Sequence, residues 1–159
     1  MSKVTYPQNL KFHKKVAQLQ IDLFKARDEE TSAGKITSKE GAVFFAIAKS
    51  LGPDTDRMDW DNKITMKISP TDISKIVVGC RKRSFPVDLI HRSEKTGRTT
   101  TLKIEPGQRE GTYRWTIAAN YGKDDNRNQF VSIYLSDEDM FLVFNVLEAS
   151  VPLILGWSS

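Results

Sequence analysis

The sequence predicts an α+β fold made of a duplicated β-β-β-β-α unit. Two observations predict it. A strand-like run passes directly into a capped helix at Ser69 and again at Ser136, about 67 residues later. Further strand candidates precede each helix, so the chain reads four strands, a helix, four strands and a helix. No low-complexity linker divides the halves, and 159 residues are enough for one shared core.

Residues 1–11 read as a loose, flexible leader, and 12–157 as a single domain. Across 12–25, Ala17, Leu19, Ile21 and Leu23 alternate with Gln18, Gln20 and Asp22, which predicts one long strand with one buried face. Residues 26–39 are polar and predict a loop holding a short strand around Ile36. The run A-V-F-F-A-I-A-K after Gly41 is nearly all apolar and suits an inner strand. Beyond a loop over 51–59, Ile64, Met66 and Ile68 alternate with Thr65 and Lys67. Ser69 caps the first helix, Pro70 suits its first position and Asp72 completes a capping box. Ile73, Ile76 and Val77 give that helix an apolar face, and Gly79 is expected to stop it.

The second half repeats this order. Residues 86–91, 99–105 and 112–120 predict strands, and Phe130 opens the last one. Ser136 and Asp139 form the second capping box, with Asp137, Glu138 and Asp139 at the positive end of the helix dipole. Met140, Val143, Phe144, Leu147 and Val151 recur at helical spacing, and Phe141, Leu142 and Val146 are apolar too. A helix apolar on nearly every side needs more cover than one sheet face provides, and a second copy of the chain would supply it. Pro152 is expected to kink or end this helix.

Composition narrows the function. The chain is 39% hydrophobic and 28% charged, as in a soluble globular protein. Asn145, Glu148 and Pro152 break the longest apolar stretch, so no membrane span is predicted. The first ten residues show neither an apolar signal core nor an Arg/Ser-rich transit peptide. The single cysteine, Cys80, fits a reducing compartment and an inert packing role. Net charge is +4, and the bases cluster: Arg81, Lys82, Arg83, Arg92, Lys95, Arg98 and Lys103 stand against Asp88 and Glu94. The last helix carries acids and no base, so a polyanion would favour the strands.

No catalytic constellation is evident. Asp54, Asp56, Asp59 and Asp61 lack the spacing of a calcium loop and read as a solvated loop. His13 and His91 have no partner at metal spacing, and neither a phosphate loop nor a nucleophile motif occurs. No cofactor is implied. Nucleic acid fits better. Lys14, Lys15, Gln18, Gln20, Lys63 and Arg114 lie on strand segments, with Phe45, Trp60, Tyr113 and Trp115 among them. A single strand needs a basic groove for phosphates and flat rings for bases. An aromatic on a strand can equally be core, and the sequence leaves both open. No basic helix is available for a duplex major groove.

These residues also resemble a family. H-K-K-V-A-Q-L at 13–19, S-K-E-G at 38–41, D-W-D at 59–61, L-K-I-E-P at 102–106 and V-P-L-I-L-G-W at 151–157 are similar, in order, to segments of the Whirly proteins, single-stranded-DNA-binding proteins known from plant organelles. Lys15 stands where the family has a glycine, and Gln18 where it has an alanine. The resemblance implies two antiparallel four-stranded sheets packed crosswise, a helix-loop-helix core and a homotetramer joined through the helices. It implies a non-enzymatic protein that binds single-stranded DNA with little sequence specificity, in replication, recombination or repair. An RNA-binding or annealing protein and a transcription cofactor are the alternatives. Lys14, Lys15, Lys39, Lys63 and Arg114 would contact phosphates, Gln18 and Gln20 bases or sugars, and Trp60, Phe45 and Tyr113 would stack. The bare N-terminus points to the cytoplasm of a prokaryotic or phage-infected cell, or to an organelle should a presequence have been removed.

Overall fold

A computed structural model describes residues 8–157. Over those residues the chain runs β1 (Gln8–His13), β2 (Ala17–Phe24), β3 (Arg27–Glu30), β4 (Ile36–Lys39), β5 (Ala42–Lys49), a 3-10 turn (Trp60–Asn62), β6 (Ile64–Ile68) and α1 (Pro70–Arg81). It continues with β7 (Val87–Arg92), β8 (Thr99–Pro106), β9 (Thr112–Asn120), β10 (Gln129–Ser136) and α2 (Asp137–Leu155). Sheet 1 has the order β1-β2-β5-β6 and sheet 2 the order β10-β9-β8-β7, all antiparallel. Each is a four-stranded meander that ends in a helix. The duplicated unit is therefore real, and β3–β4 is a hairpin inserted into the first copy.

Several expectations need correction. Residues 8–11 belong to β1, not to a leader, because they pair along β2 from Gln8↔Leu23 to Lys11↔Gln20. Residues 1–7 lie outside the described part. The predicted strand 12–25 is two strands around a turn closed by the Lys14 amide donating to the Ala17 carbonyl at 2.9 Å. That turn contains no glycine or proline, so nothing in the sequence marks it. Gly79 does not stop α1, which runs on to Arg81. Pro152 does not end α2 either, because the helix continues to Leu155 and closes on Gly156 in the left-handed conformation, φ 74°. The carbonyls freed near that end are taken by the insert: Ala26 donates to Leu153 and Gly41 to Ile154, both at 3.0 Å. Gly41 is required there, since a Cβ would stand 2.2 Å from the Phe24 carbonyl oxygen.

The two meanders face each other across one core. Phe45 and Trp115 are both 0% exposed and meet at 5.8 Å between ring centroids. The Trp115 indole N–H is satisfied by the Met140 sulfur at 3.2 Å. These two residues are equivalent in the duplication: Phe45 pairs with Met66 on β6, Trp115 with Ile133 on β10, and Met66 and Ile133 differ by the 67-residue repeat seen in Arg81–Glu148. Two more equivalent pairs also touch. Arg81 grips Glu148 with a second bond of 3.1 Å, and Gln129 donates to the Asn62 carbonyl at 3.0 Å. Matching residues that meet each other mark a pseudo-two-fold axis through the core.

The same symmetry ties each helix start to the opposite half. Ser69 accepts from the Asp72 amide at 3.1 Å while Asp72 accepts from the Ser69 amide at 3.0 Å, and Ser136 and Asp139 repeat both distances. Each capping box is worth about 1 kcal/mol. His91, on β7, bonds Asp72 at 3.0 Å, and Lys14, just beyond β1, bonds Asp139 at 2.7 Å. Burial opposes ionisation of Asp139, yet Lys14 and the Ser136 amide together hold its carboxyl below the usual carboxylate range. Cys80 is buried, which pushes its thiol up to about 11 and fits the inert role expected of it.

Candidate nucleic-acid interface

Strand alternation turns one side of sheet 1 into the core and the other outward. The outward positions are Asn9, Lys11 and His13 on β1, Gln18, Gln20, Asp22 and Phe24 on β2, Phe44, Ala46 and Ala48 on β5, and Thr65 and Lys67 on β6. The register lines them up in rows across the sheet. One row reads Lys11–Gln20–Ala46–Thr65, and the next reads Asn9–Asp22–Phe44–Lys67. Lysines thus stand on both edge strands, while amides, a carboxylate and rings occupy the middle.

The middle is concave. Gln20, Asp22, Phe24, Phe44, Ala46, Trp60, Lys63 and Thr65 line a trough of about 600 Å³. The small side chain of Ala46 lets the floor drop, and Trp60, set in the 3-10 turn before β6, forms part of the wall. Phe24 and Phe44 meet edge to face at 5.8 Å. Gln20 donates to both Asp22 oxygens, at 2.8 and 3.1 Å. Arg98 reaches over from the second half and donates to the Thr65 carbonyl at 3.2 Å, which covers part of the β6 edge.

The structure brings three of the predicted site residues, Gln20, Trp60 and Lys63, together in this trough. Gln18 shares the face, hydrogen-bonded to His13 Nδ1 at 2.9 Å, and Lys15 stands exposed in the β1–β2 turn. The others are elsewhere. Phe45 is core, not a stacking platform, because its neighbour Phe44 takes the outward position. Tyr113 lies on the inward parity of β9 with Trp115 and packs on Phe85 at 5.9 Å, so its ring is not on an open face. Lys14 is held by Asp139 and Lys39 by Glu29 at 2.9 Å, the latter within the β3–β4 hairpin. Arg114 faces outward on sheet 2, where Glu105 binds it through Nε at 2.9 Å and again through Nη2.

Sequence reasoning missed Phe44, Phe24, Lys11 and Lys67, and read Asp22 merely as part of a polar face. Asp22 and Phe24 were recoverable from the alternation that buries Ala17, Leu19, Ile21 and Leu23. Phe44 was not, since a central strand covered on one side and floored with alanines on the other shows no polar side.

The architecture defines a class: an α+β domain of two pseudo-symmetric meander-plus-helix units, with an open aromatic and amide trough on one sheet. The chain belongs to the Whirly family, whose model, described as Whirly transcription factor, matches residues 12–146. Among solved structures it is similar to WHY1 from Arabidopsis thaliana, at 17% identity and a TM-score of 0.78 over 98% of this chain and 89% of that one. WHY3 from Arabidopsis thaliana gives 20% identity and 0.78 over 98% and 92%. The plant transcriptional regulator PBF-2 gives 19% and 0.77 over 98% and 86%. No curated protein sequence matches. The organism named for WHY1 and WHY3 is a plant, and at 17% and 20% identity the likeness shows a shared fold. Among the described residues no helix is long and apolar enough to cross a membrane.

Proposed function

We propose that this protein binds single-stranded DNA along the outward face of sheet 1, without reading a fixed sequence and without catalysis. The observation that carries this is the arrangement of that face: Lys11 and Lys67 on opposite edge strands, Lys63 beside Trp60, and Phe24, Phe44 and Trp60 around a concave middle. Phosphates are held by point charges at the rims, while bases lie on rings whose faces accept any base. A duplex hides its base faces by stacking, so rings on a sheet face cannot lie on them.

Assembly follows from α2. Phe141 is 66% exposed, and Leu142 lies beside it next to Asp137 and Glu138. Contiguous apolar surface of this kind marks an association site. Four copies joined through their helices would cover it and leave the sheets outward, and such a tetramer would serve replication, recombination or repair. A role in transcription is the second reading, favoured by the description of the family and of PBF-2. RNA remains a competitor, because rings and lysines do not sense the 2′-hydroxyl.

Fluorescence anisotropy with a labelled single strand, its duplex and the matching RNA, run beside light scattering, tests this. The expected result is a tetramer that prefers the DNA single strand. A monomer that prefers duplex contradicts it, and equal or tighter RNA binding transfers the reading to RNA.

A further inference from the structure

A carboxylate in the middle of a phosphate-binding face is out of place unless it faces something other than phosphate. Asp22 is such a group: it lines the trough, half-buried, between Asn9 on the edge and Phe44 on the neighbouring strand. Gln20 orients it with one hydrogen bond to each oxygen. One nitrogen, Gln20 Nε2, spans both oxygens and occupies their shared edge, which opens to a ligand with two adjacent donors when the Gln20 amide turns aside.

We infer that Asp22 makes this face selective for guanine and against thymine. The inference rests on the reading of the trough as a single-strand site, and it adds one base preference to a grip that otherwise tolerates any sequence. The row Asp22–Phe44–Lys67 provides for one whole nucleotide: phosphate on Lys67, base on Phe44, outer edge of the base on Asp22. From β6 to β2 is two strand spacings, roughly 9.5 Å, which suits a purine better than a pyrimidine. Guanine presents two adjacent donors on its Watson–Crick edge, N1–H and N2–H, which match the two carboxylate oxygens side by side. Cytosine and adenine offer one amino donor beside a ring acceptor. Thymine offers N3–H between two carbonyl oxygens, and both oxygens are repelled by the carboxylate. The recognition is that of single strands, whose Watson–Crick edges are free to be read.

The test compares three labelled oligonucleotides by anisotropy: oligothymidine, the same length with isolated guanines spaced along it, and that strand with hypoxanthine for guanine. The wild-type protein is expected to bind the guanine strand about tenfold more tightly than oligothymidine. Hypoxanthine, which lacks the N2 amino group, should lose most of the gain. Asp22→Asn should weaken the guanine strand and strengthen oligothymidine, two opposite shifts that a merely structural carboxylate would not give. Equal wild-type affinity for all three strands, or a uniform loss in Asp22→Asn, overturns the inference while leaving the single-strand reading intact. Failure to bind any of the three overturns both.

Discussion

The outward faces of the two sheets occupy equivalent places in a duplicated fold, and they differ at the row that matters most. On sheet 1 the row reads Asp22, Phe44, Lys67; on sheet 2 the equivalent positions are Glu105, Arg114 and Tyr134. The acid is present in both. Opposite Asp22 stands a ring, so among the described residues the carboxylate is bonded by the neutral Gln20 amide and by no cation. Opposite Glu105 stands a guanidinium, and the two consume each other, with Glu105 first and Tyr134 second in pushing the Arg114 pKa up. Thr116 and Ser132 close the next row with a 2.8 Å hydrogen bond. The comparison teaches that one exchange, aromatic for arginine at the same register position, decides whether the acid of that row is held in an ion pair.

The largest effect that could break this account concerns two adjacent residues. Phe45→Ala should cost about 3–5 kcal/mol of stability by empty space beside Trp115. Phe44→Ala should cost less than about 1 kcal/mol. Denaturant unfolding of the two variants checks both, and similar losses would mean that the two faces of β5 are not distinguished as described.

Next in size is binding. Phe44→Ala or Trp60→Ala should weaken single-strand affinity by about 1–3 kcal/mol each. Phe130→Ala on sheet 2, though that ring is 71% exposed, should change it less than twofold. Anisotropy titrations decide the matter, and equal losses on the two sheets would erase the asymmetry.

Lysines sharpen the comparison further. Lys63→Ala and Lys67→Ala should each lower the slope of log affinity against log salt by about 0.7, the value for one phosphate contact on a single strand. Lys14→Ala should leave the slope unchanged, because its ammonium is spent on Asp139.

The smallest effect lies at the helix caps. Asp139 titrates lower in the folded chain than when unfolded, so its contribution is complete at neutral pH and is lost as pH falls below about 4. Asp139→Asn should therefore cost about 1 kcal/mol at pH 7 and progressively less in acid. Thermal unfolding across that range gives the difference directly.

Much of this molecule was legible in its sequence. The two capping boxes and the strand alternation give the duplicated unit, since caps and periodicity are local and leave local marks. What stayed hidden is set by neighbours. Phe44 and Phe45 are identical to any local rule, and a slip of one position reverses core and surface. The turn after His13 carries no breaker residue, so β1 and β2 merged into one strand. Every described side chain of β4 is exposed, so its pairing with β3 leaves no periodic signal. The ion pairs of Lys14, Lys39 and Arg114 join residues on different strands or, for Lys14, on a turn and a helix, which no local spacing relates.

The most direct measurement uses the tryptophans. Trp115 is fully buried and Trp157 is 82% exposed, so a Trp157→Phe variant leaves Trp60 as the one indole that a ligand in the trough can reach. Titrating that variant with a DNA single strand should quench Trp60 emission in step with the rise in anisotropy. Binding that saturates by anisotropy while the indole emission stays constant would place the strand elsewhere and contradict the assignment of sheet 1.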